Sequence, residues 1–196
     1  MGTFELHQSN IDLRALGRIS EILRRGQLVV YPTDTHPALG CNALNGAAIT
    51  TLCRLKGVNP EKQTLSIVCS SLSQASAYAR IDNRAFSIMR ANLPGPFTFI
   101  LPASTSLPKI FKGRKQVGIR IPANSIARAM ADDLGNPLLS GSIGDTDPYD
   151  FEHSVEAIIK DSDACDFREI MSSAIIDLTD SAAPVILREG PVTPEL

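Results

Sequence analysis

The residues best suited to chemistry follow a short apolar run. Leu28-Val29-Val30-Tyr31 leads into Pro32-Thr33-Asp34-Thr35-His36-Pro37-Ala38-Leu39-Gly40-Cys41, a polar turn rich in hydroxyls and closed by a glycine. Hydroxyls at the carboxyl end of a strand can hold a small polar substrate, and glycine there lets backbone approach closely. Two more turns share this character: Lys56 to Thr64, which carries Lys56 and Lys62, and Ser140-Gly141-Ser142-Ile143-Gly144. Arg120 and Arg188 sit in strand-like runs. A planar guanidinium suits two-point capture of carboxylate or phosphate, whereas lysine supplies a mobile point charge. No Ser-His-Asp or Cys-His arrangement is legible, so no catalytic residue is assigned, and the pattern points to anion recognition more than to nucleophilic attack. Asp34 and His36 either cap their own loop or face the ligand.

The surrounding elements must deliver these turns to one place. An apolar stripe of Leu13, Leu16, Ile19, Ile22 and Leu23 predicts a helix from about Ile11 to Arg25, capped by Ser9 or Asn10 and ended by Gly26. Further helices are expected near Ala47–Leu55, Ser71–Tyr78, Arg84–Ala91 and Ser125–Leu134, with a weaker one near Ser154–Lys160. Strands are expected at 28–31, 65–69, 97–101, 117–121, 137–140, 174–177 and 185–188. This alternation predicts a layered α/β domain spanning residues 1–196, a twisted mixed sheet with flanking helices. There is no Gly-x-Gly-x-x-Gly after the first strand and no Walker loop, so a nucleotide must be held without either.

Composition narrows the classes. The chain has 196 residues, 43% hydrophobic and 20% charged, with a formal net charge of −2, values of a soluble globular protein. No window approaches the roughly 20 apolar residues of a membrane helix, and no secretory signal is visible at the start, so a cytoplasmic protein is expected. Cys41, Cys53, Cys69 and Cys165 are widely spaced and the three histidines are scattered, which argues against a zinc site or a disulfide framework. Buried small hydrophobes are the expected role of these cysteines. Charge is uneven along the chain. Lys109, Lys112, Arg114, Lys115 and Arg120 form a run without an acid, whereas Asp145 to Asp180 holds eleven acids against Lys160 and Arg168. Such a basic run is either a solvated face or a patch for phosphates.

Taken in order, Tyr-Pro-Thr-Asp-Thr with Ala-Leu-Gly-Cys, the Lys56 loop, Leu93-Pro94-Gly95-Pro96-Phe97-Thr98-Phe99-Ile100-Leu101, Val117-Gly118-Ile119-Arg120-Ile121-Pro122, Gly135-Asn136-Pro137-Leu138-Leu139-Ser140-Gly141-Ser142, and Ile176-Asp177-Leu178-Thr179 with Leu187-Arg188-Glu189-Gly190 resemble the YrdC-like family of threonylcarbamoyl-AMP synthases. Cys53-Arg54-Leu55-Lys56 and the strand after it look most like the YciO branch. The resemblance implies a YrdC-like sheet with a deep, basic concave face that holds ATP and threonine, with bicarbonate joining them to give threonylcarbamoyl-AMP and pyrophosphate, the first step of threonylcarbamoyladenosine formation on tRNA. Some members are described as binding double-stranded RNA. By motif, the resemblance implies that Thr33, Thr35, Arg120 and Ser142 surround threonine, with Ser173 supporting the pocket, and that Lys56, Ser140 and Arg188 face the nucleotide. No tightly bound cofactor is implied; ATP with magnesium would be substrate.

Two positions depart from the family pattern. The synthases carry Lys-x-Arg in the second loop, and Val58 stands at the third position here. They also carry Ser-x-Asn after the Pro-Leu strand, and Gly144 stands where the asparagine belongs. Lys62, on the same loop as Val58, could bring an ammonium back over the phosphates. The expectation is therefore a YciO-type protein that binds nucleotide or RNA, either tRNA or double-stranded RNA, with at most weak synthesis. The full synthase is the alternative.

Overall fold

Short β-branched and apolar runs form the strands here, and each helix begins at a residue whose side chain can accept backbone N–H bonds. The computed structural model describes residues 2–112, 115–164 and 172–196, and of Lys112 the backbone alone. Among them lie β1 (Gly2–Leu6), α1 (Leu13–Arg24), β2 (Val29–Tyr31), β3 (Ala38–Asn42), α2 (Gly46–Leu55), β4 (Ser66–Val68), α3 (Leu72–Ser76), α4 (Asn83–Asn92), β5 (Phe97–Pro102), β6 (Gln116–Arg120), α5 (Ser125–Leu134), β7 (Leu138–Ser142), β8 (Ala157–Asp161), β9 (Ala174–Asp177) and β10 (Val185–Arg188). The strands join one mixed sheet in the order β1-β8-β2-β3-β7-β4-β6-β5-β9-β10. β8 lies parallel to both β1 and β2, β4 to β6 and β5 to β9; the other pairs are antiparallel.

Two apolar layers sandwich the sheet, and they are unequal. Residues of α2, α3 and α4, together with Leu107 and Phe111, cover one face along much of its width, packing on Leu39, Cys41, Ile67, Phe99, Ile119, Leu139 and Ile176. α1 and α5 cover the other face only toward the β1 end, over Val29, Tyr31, Ala38, Val68, Leu138, Ala157 and Ile159. That asymmetry leaves the second face, among the described residues, free of helices beyond β4. No helix among the described residues is long and apolar enough to cross a membrane.

Three expectations are corrected. The helix near Ser154–Lys160 is strand β8, whose Ala157, Ile158 and Ile159 are all buried because both layers press on it. An apolar run covered on both sides has no period to reveal its type. The polar turn after Tyr31 is shorter than expected, since Ala38–Asn42 is β3, and the N-terminal Gly2–Leu6 is β1. Finally, α1 starts at Leu13 and its cap is Asp12, whose Oδ1 accepts Arg14 N at 2.8 Å and Ala15 N at 3.3 Å, while Asn10 bridges back to His7. We predict that Asp12→Ala lowers the unfolding free energy by about 1 kcal/mol, the usual worth of such a cap, and that Ser9→Ala leaves it unchanged. Denaturant unfolding of the two variants checks this, and a loss confined to Ser9→Ala would move the cap back.

Candidate functional site

The helix-free part of the second face gathers most of the polar residues singled out in the sequence. Side chains alternate along strands, so partners two positions apart share a face. Gly40, Ser140, Ser66 and Gly118 line up across β3, β7, β4 and β6. One row further, on the same face, come Val68, Arg120, Thr98 and Ile175, with Arg188 of β10 paired to Ile175. The intervening row, Cys41, Leu139, Ile67, Ile119, Phe99 and Ile176, belongs to the apolar layer beneath.

Arg120 organises the first cluster. The connection between β2 and β3 reaches across to it, so that Arg120 Nη2 donates to Asp34 Oδ1 at 2.6 Å, Thr35 Oγ1 at 2.5 Å and Thr33 Oγ1 at 3.1 Å. Asp34 Oδ2 also accepts Ala123 N at 2.7 Å, tying the turn to the chain just beyond β6. Thr33 steadies the turn from within by accepting Thr35 N and donating to the carbonyl of His36. Arg120, Thr33 and Thr35 are all buried, and the Arg120–Asp34 side chains are only 7% and 10% exposed. Among the described residues, Arg120 Nε is one of two fully buried side-chain polar atoms without a partner, the other being Ser20 Oγ. Asp34 thus holds both its own loop and the arginine. His36, also buried, lies 3.7 Å from the exposed Asp145 carboxylate.

A second cluster sits on Ser173 and Arg188. Arg188 Nε and Nη2 donate to the Ser173 carbonyl at 2.9 and 2.7 Å, and Ser173 Oγ lies 3.1 Å from Thr98 Oγ1. Burial, and then the positive charge of Arg120, hold the Arg188 pKa below its ordinary value. The two arginines share one cross-strand row through Thr98 and Ile175. A third group lies at the end of β7, where Lys56 Nζ donates to the Ser142 carbonyl at 2.6 Å and Gly144 N donates to Ser142 Oγ at 3.2 Å. Ser140 receives the Tyr31 hydroxyl at 2.7 Å. Thr33 and Thr35 thus touch Arg120 directly, whereas Ser140 and Ser142 make no hydrogen bond to it. Lys62 is exposed on the loop beyond Lys56.

Sequence reasoning missed Tyr31, Thr98 and Ser66 as members of this face; only strand register brings them there. Cys41, Cys53 and Cys69 are buried free thiols, and burial pushes Cys41 and Cys69 up to about 12, so neither is a thiolate nucleophile near neutrality. Cys165 and Arg114, and the side chain of Lys112, lie outside the described residues, while Lys109 and Lys115 are exposed. A separate cleft of about 460 Å³, lined by Arg80, Pro102, Phe111 and Lys115 among others, opens at the end of β5 away from Thr98.

The Sua5/YciO/YrdC family model, described as "Telomere recombination", matches residues 21–190. The chain belongs to the Sua5/YciO/YrdC family. It is 34% identical to the uncharacterized protein YciO of Escherichia coli (strain K12), over 95% of this chain and 94% of that protein. The crystal structure of E. coli YciO superposes with a TM-score of 0.87 over 98% of both chains. A threonylcarbamoyl-AMP synthase of Pyrococcus abyssi is 33% identical over 86% of this chain and 52% of that protein. The crystal structure of P. abyssi Sua5 complexed with L-threonine gives a TM-score of 0.86 at 27% identity, this chain spanning 58% of its length. The YrdC-like α/β fold expected from the motifs is therefore the fold of this Sua5/YciO/YrdC chain.

In this family member the buried ion pair sets a stability test. Removing one partner of such a pair leaves a charge uncompensated in a poorly solvated place, typically at a cost of about 3–5 kcal/mol. Asp34→Ala is predicted to destabilise the protein by that order, and Asp34→Asn, which keeps oxygen for Ala123 N, by less. Chemical denaturation measures both; a neutral Asp34→Ala would show that water already solvates Arg120.

Proposed function

We propose that this chain binds a nucleotide together with threonine on its open polar face, as a YciO-type protein that forms threonylcarbamoyl-AMP and pyrophosphate from threonine, bicarbonate and ATP weakly at most. The observation that carries the reading is the Arg120–Arg188 pair. Arg188 stands in the same cross-strand row as Arg120, and the acceptors it reaches are the neutral oxygens of Ser173. Two cations in one cross-strand row, one of them without a carboxylate acceptor among the described residues, make a site that an anion completes. Threonine carboxylate and nucleotide phosphate are anions of the right chemistry. Thr33 and Thr35 supply hydroxyls against Arg120 and Ser173 supplies one beside Arg188, with Ser142 on the same substrate side. Relatives named threonylcarbamoyl-AMP synthase, and a Sua5 structure complexed with L-threonine, support the same substrates. Lys56, Lys62 and Ser140 would serve the nucleotide, and magnesium would arrive with ATP as part of the substrate.

Weak synthesis follows from the two departures. Val58 packs half-buried against the apolar layer, an aliphatic side chain where the synthases carry a guanidinium. A missing donor to developing phosphate charge is worth roughly 2–4 kcal/mol in transition-state stabilisation. Gly144 has φ +59, a backbone state that asparagine accepts better than most residues, and a Cβ added there would meet nothing within 4 Å. Val58→Arg with Gly144→Asn is predicted to raise threonine-dependent pyrophosphate release at least tenfold with an unchanged melting temperature. A stable double variant without gain contradicts the reading, as does wild-type turnover equal to that of a full synthase.

RNA is the second reading, resting on the basic run that includes the exposed Lys109 and Lys115. Phosphate contacts there would make binding fall steeply with salt through counterion release. Neutralising Lys112, Arg114 and Lys115 together is expected to flatten the salt dependence of double-stranded RNA or tRNA binding, and an unchanged slope would assign the run to a solvated surface.

A further inference from the structure

We propose that Tyr31 is a positioning residue that keeps the Ser140 proton turned away from the phenol and available for donation to the phosphate oxygens of a nucleotide on the open face. The inference rests on the nucleotide reading above and adds a residue and a polarity to it. Tyr31 is fully buried and burial pushes its phenol up to about 12, so the hydroxyl keeps its proton at physiological pH. Its oxygen lies 2.7 Å from Ser140 Oγ. A phenol is a better donor and a poorer acceptor than an alkyl hydroxyl, so the shared proton comes from Tyr31 and occupies a lone pair of Ser140. Ser140 must then aim its own proton elsewhere. No acceptor for that proton is found among the described residues: the Tyr31 contact is the hydrogen bond that the Ser140 side chain makes.

The setting favours this polarity. Ser140 stands half-buried between Gly40 and Ser66 in one row, and the row continues to Gly118. A Cβ on Gly40 would come within 2.6 Å of the Tyr31 ring, and one on Gly118 within 2.4 Å of Ser66 Oγ. The missing side chain at Gly40 is thus what leaves room for the ring whose hydroxyl reaches β7. A donor restricted in direction before the ligand arrives loses little rotamer freedom on binding. A phosphate chain presents the acceptor oxygens that such a proton would meet.

A double-mutant cycle on nucleotide affinity tests this, with ATP titrated by calorimetry into wild type, Tyr31→Phe, Ser140→Ala and the double variant. Tyr31→Phe keeps the ring that packs beside Gly40 and removes only the hydroxyl. One oriented hydrogen bond predicts that each single variant binds ATP about five- to tenfold more weakly and that the double variant binds no more weakly than Ser140→Ala. A Tyr31 that acts only through packing would weaken binding by the same factor whether or not Ser140 keeps its hydroxyl, and that additivity would overturn the inference. Wild-type affinity in Tyr31→Phe overturns it too, while leaving the nucleotide reading intact. Failure of the wild-type protein to bind ATP overturns that reading and this inference together. Melting temperatures identify any variant that has lost its fold, and 3-fluorotyrosine at position 31, which keeps ring and hydroxyl but strengthens the donor, is the substitute if Tyr31→Phe unfolds: ATP affinity changes with Ser140 present and stays unchanged in Ser140→Ala, whereas an equal change in both overturns the inference.

Discussion

A guanidinium in the middle of a β-sheet is costly to keep there, and the surroundings of Arg120 show how this protein does so. Its charge is matched by Asp34 and its donors by Thr33 and Thr35, all drawn from a single connection between β2 and β3. Because Asp34 also binds Ala123 N, the same contact fastens that connection over the sheet. The arginine shapes the loop as much as the loop holds the arginine. Nε, fully buried, is left without a partner.

The layering explains why the polar face exists at all. α1 and α5 stop over Val68 and Leu138, so the strands beyond β4, from β6 to β10, have no helix on that side among the described residues. Apolar residues there would form a large exposed patch, and the chain supplies serine, glycine, threonine and arginine instead. Small residues at Gly40 and Gly118 keep the sheet surface low beside Ser140 and Ser66, and the hydroxyls supply hydrogen bonds without a cost in bulk. On the opposite side of the same strands, alternation delivers Cys41, Ile67, Phe99 and Ile119 to a dry core. One pleat period separates a ligand-facing surface from the interior that makes it rigid.

Much of this arrangement is legible in the residues themselves. The stripe of Leu16, Ile19 and Leu23 marks α1, Asn124 and Gly135 bracket α5, and Thr33, Thr35, Arg120 and Arg188 stand out as anion-binding types at strand ends. The illegible parts share a cause, which is that they depend on partners far away in the chain. β8 shows an apolar run with no period because both layers cover it. The cap at Asp12 is masked by nearer polar residues, Ser9 and Asn10, which belong to the turn that bridges His7 and Asn10. Tyr31 looks like the end of a buried strand, and nothing local indicates that its hydroxyl meets a serine 109 positions later. Asp34 is readable as either a loop cap or a ligand contact; it caps the loop, and it does so by pairing with the arginine.

If ligand recognition belongs to the polar face around Arg120, backbone amide spectra of the ¹⁵N-labelled protein report it most directly. Addition of threonine and then ATP is predicted to move the resonances of Thr33, Thr35 and Arg120 first and those of Lys56, Ser140 and Ser142 next, with the amides lining the Arg80–Lys115 cleft unmoved. Shifts confined to that cleft, or a spectrum unchanged by both ligands at millimolar concentration, would contradict it.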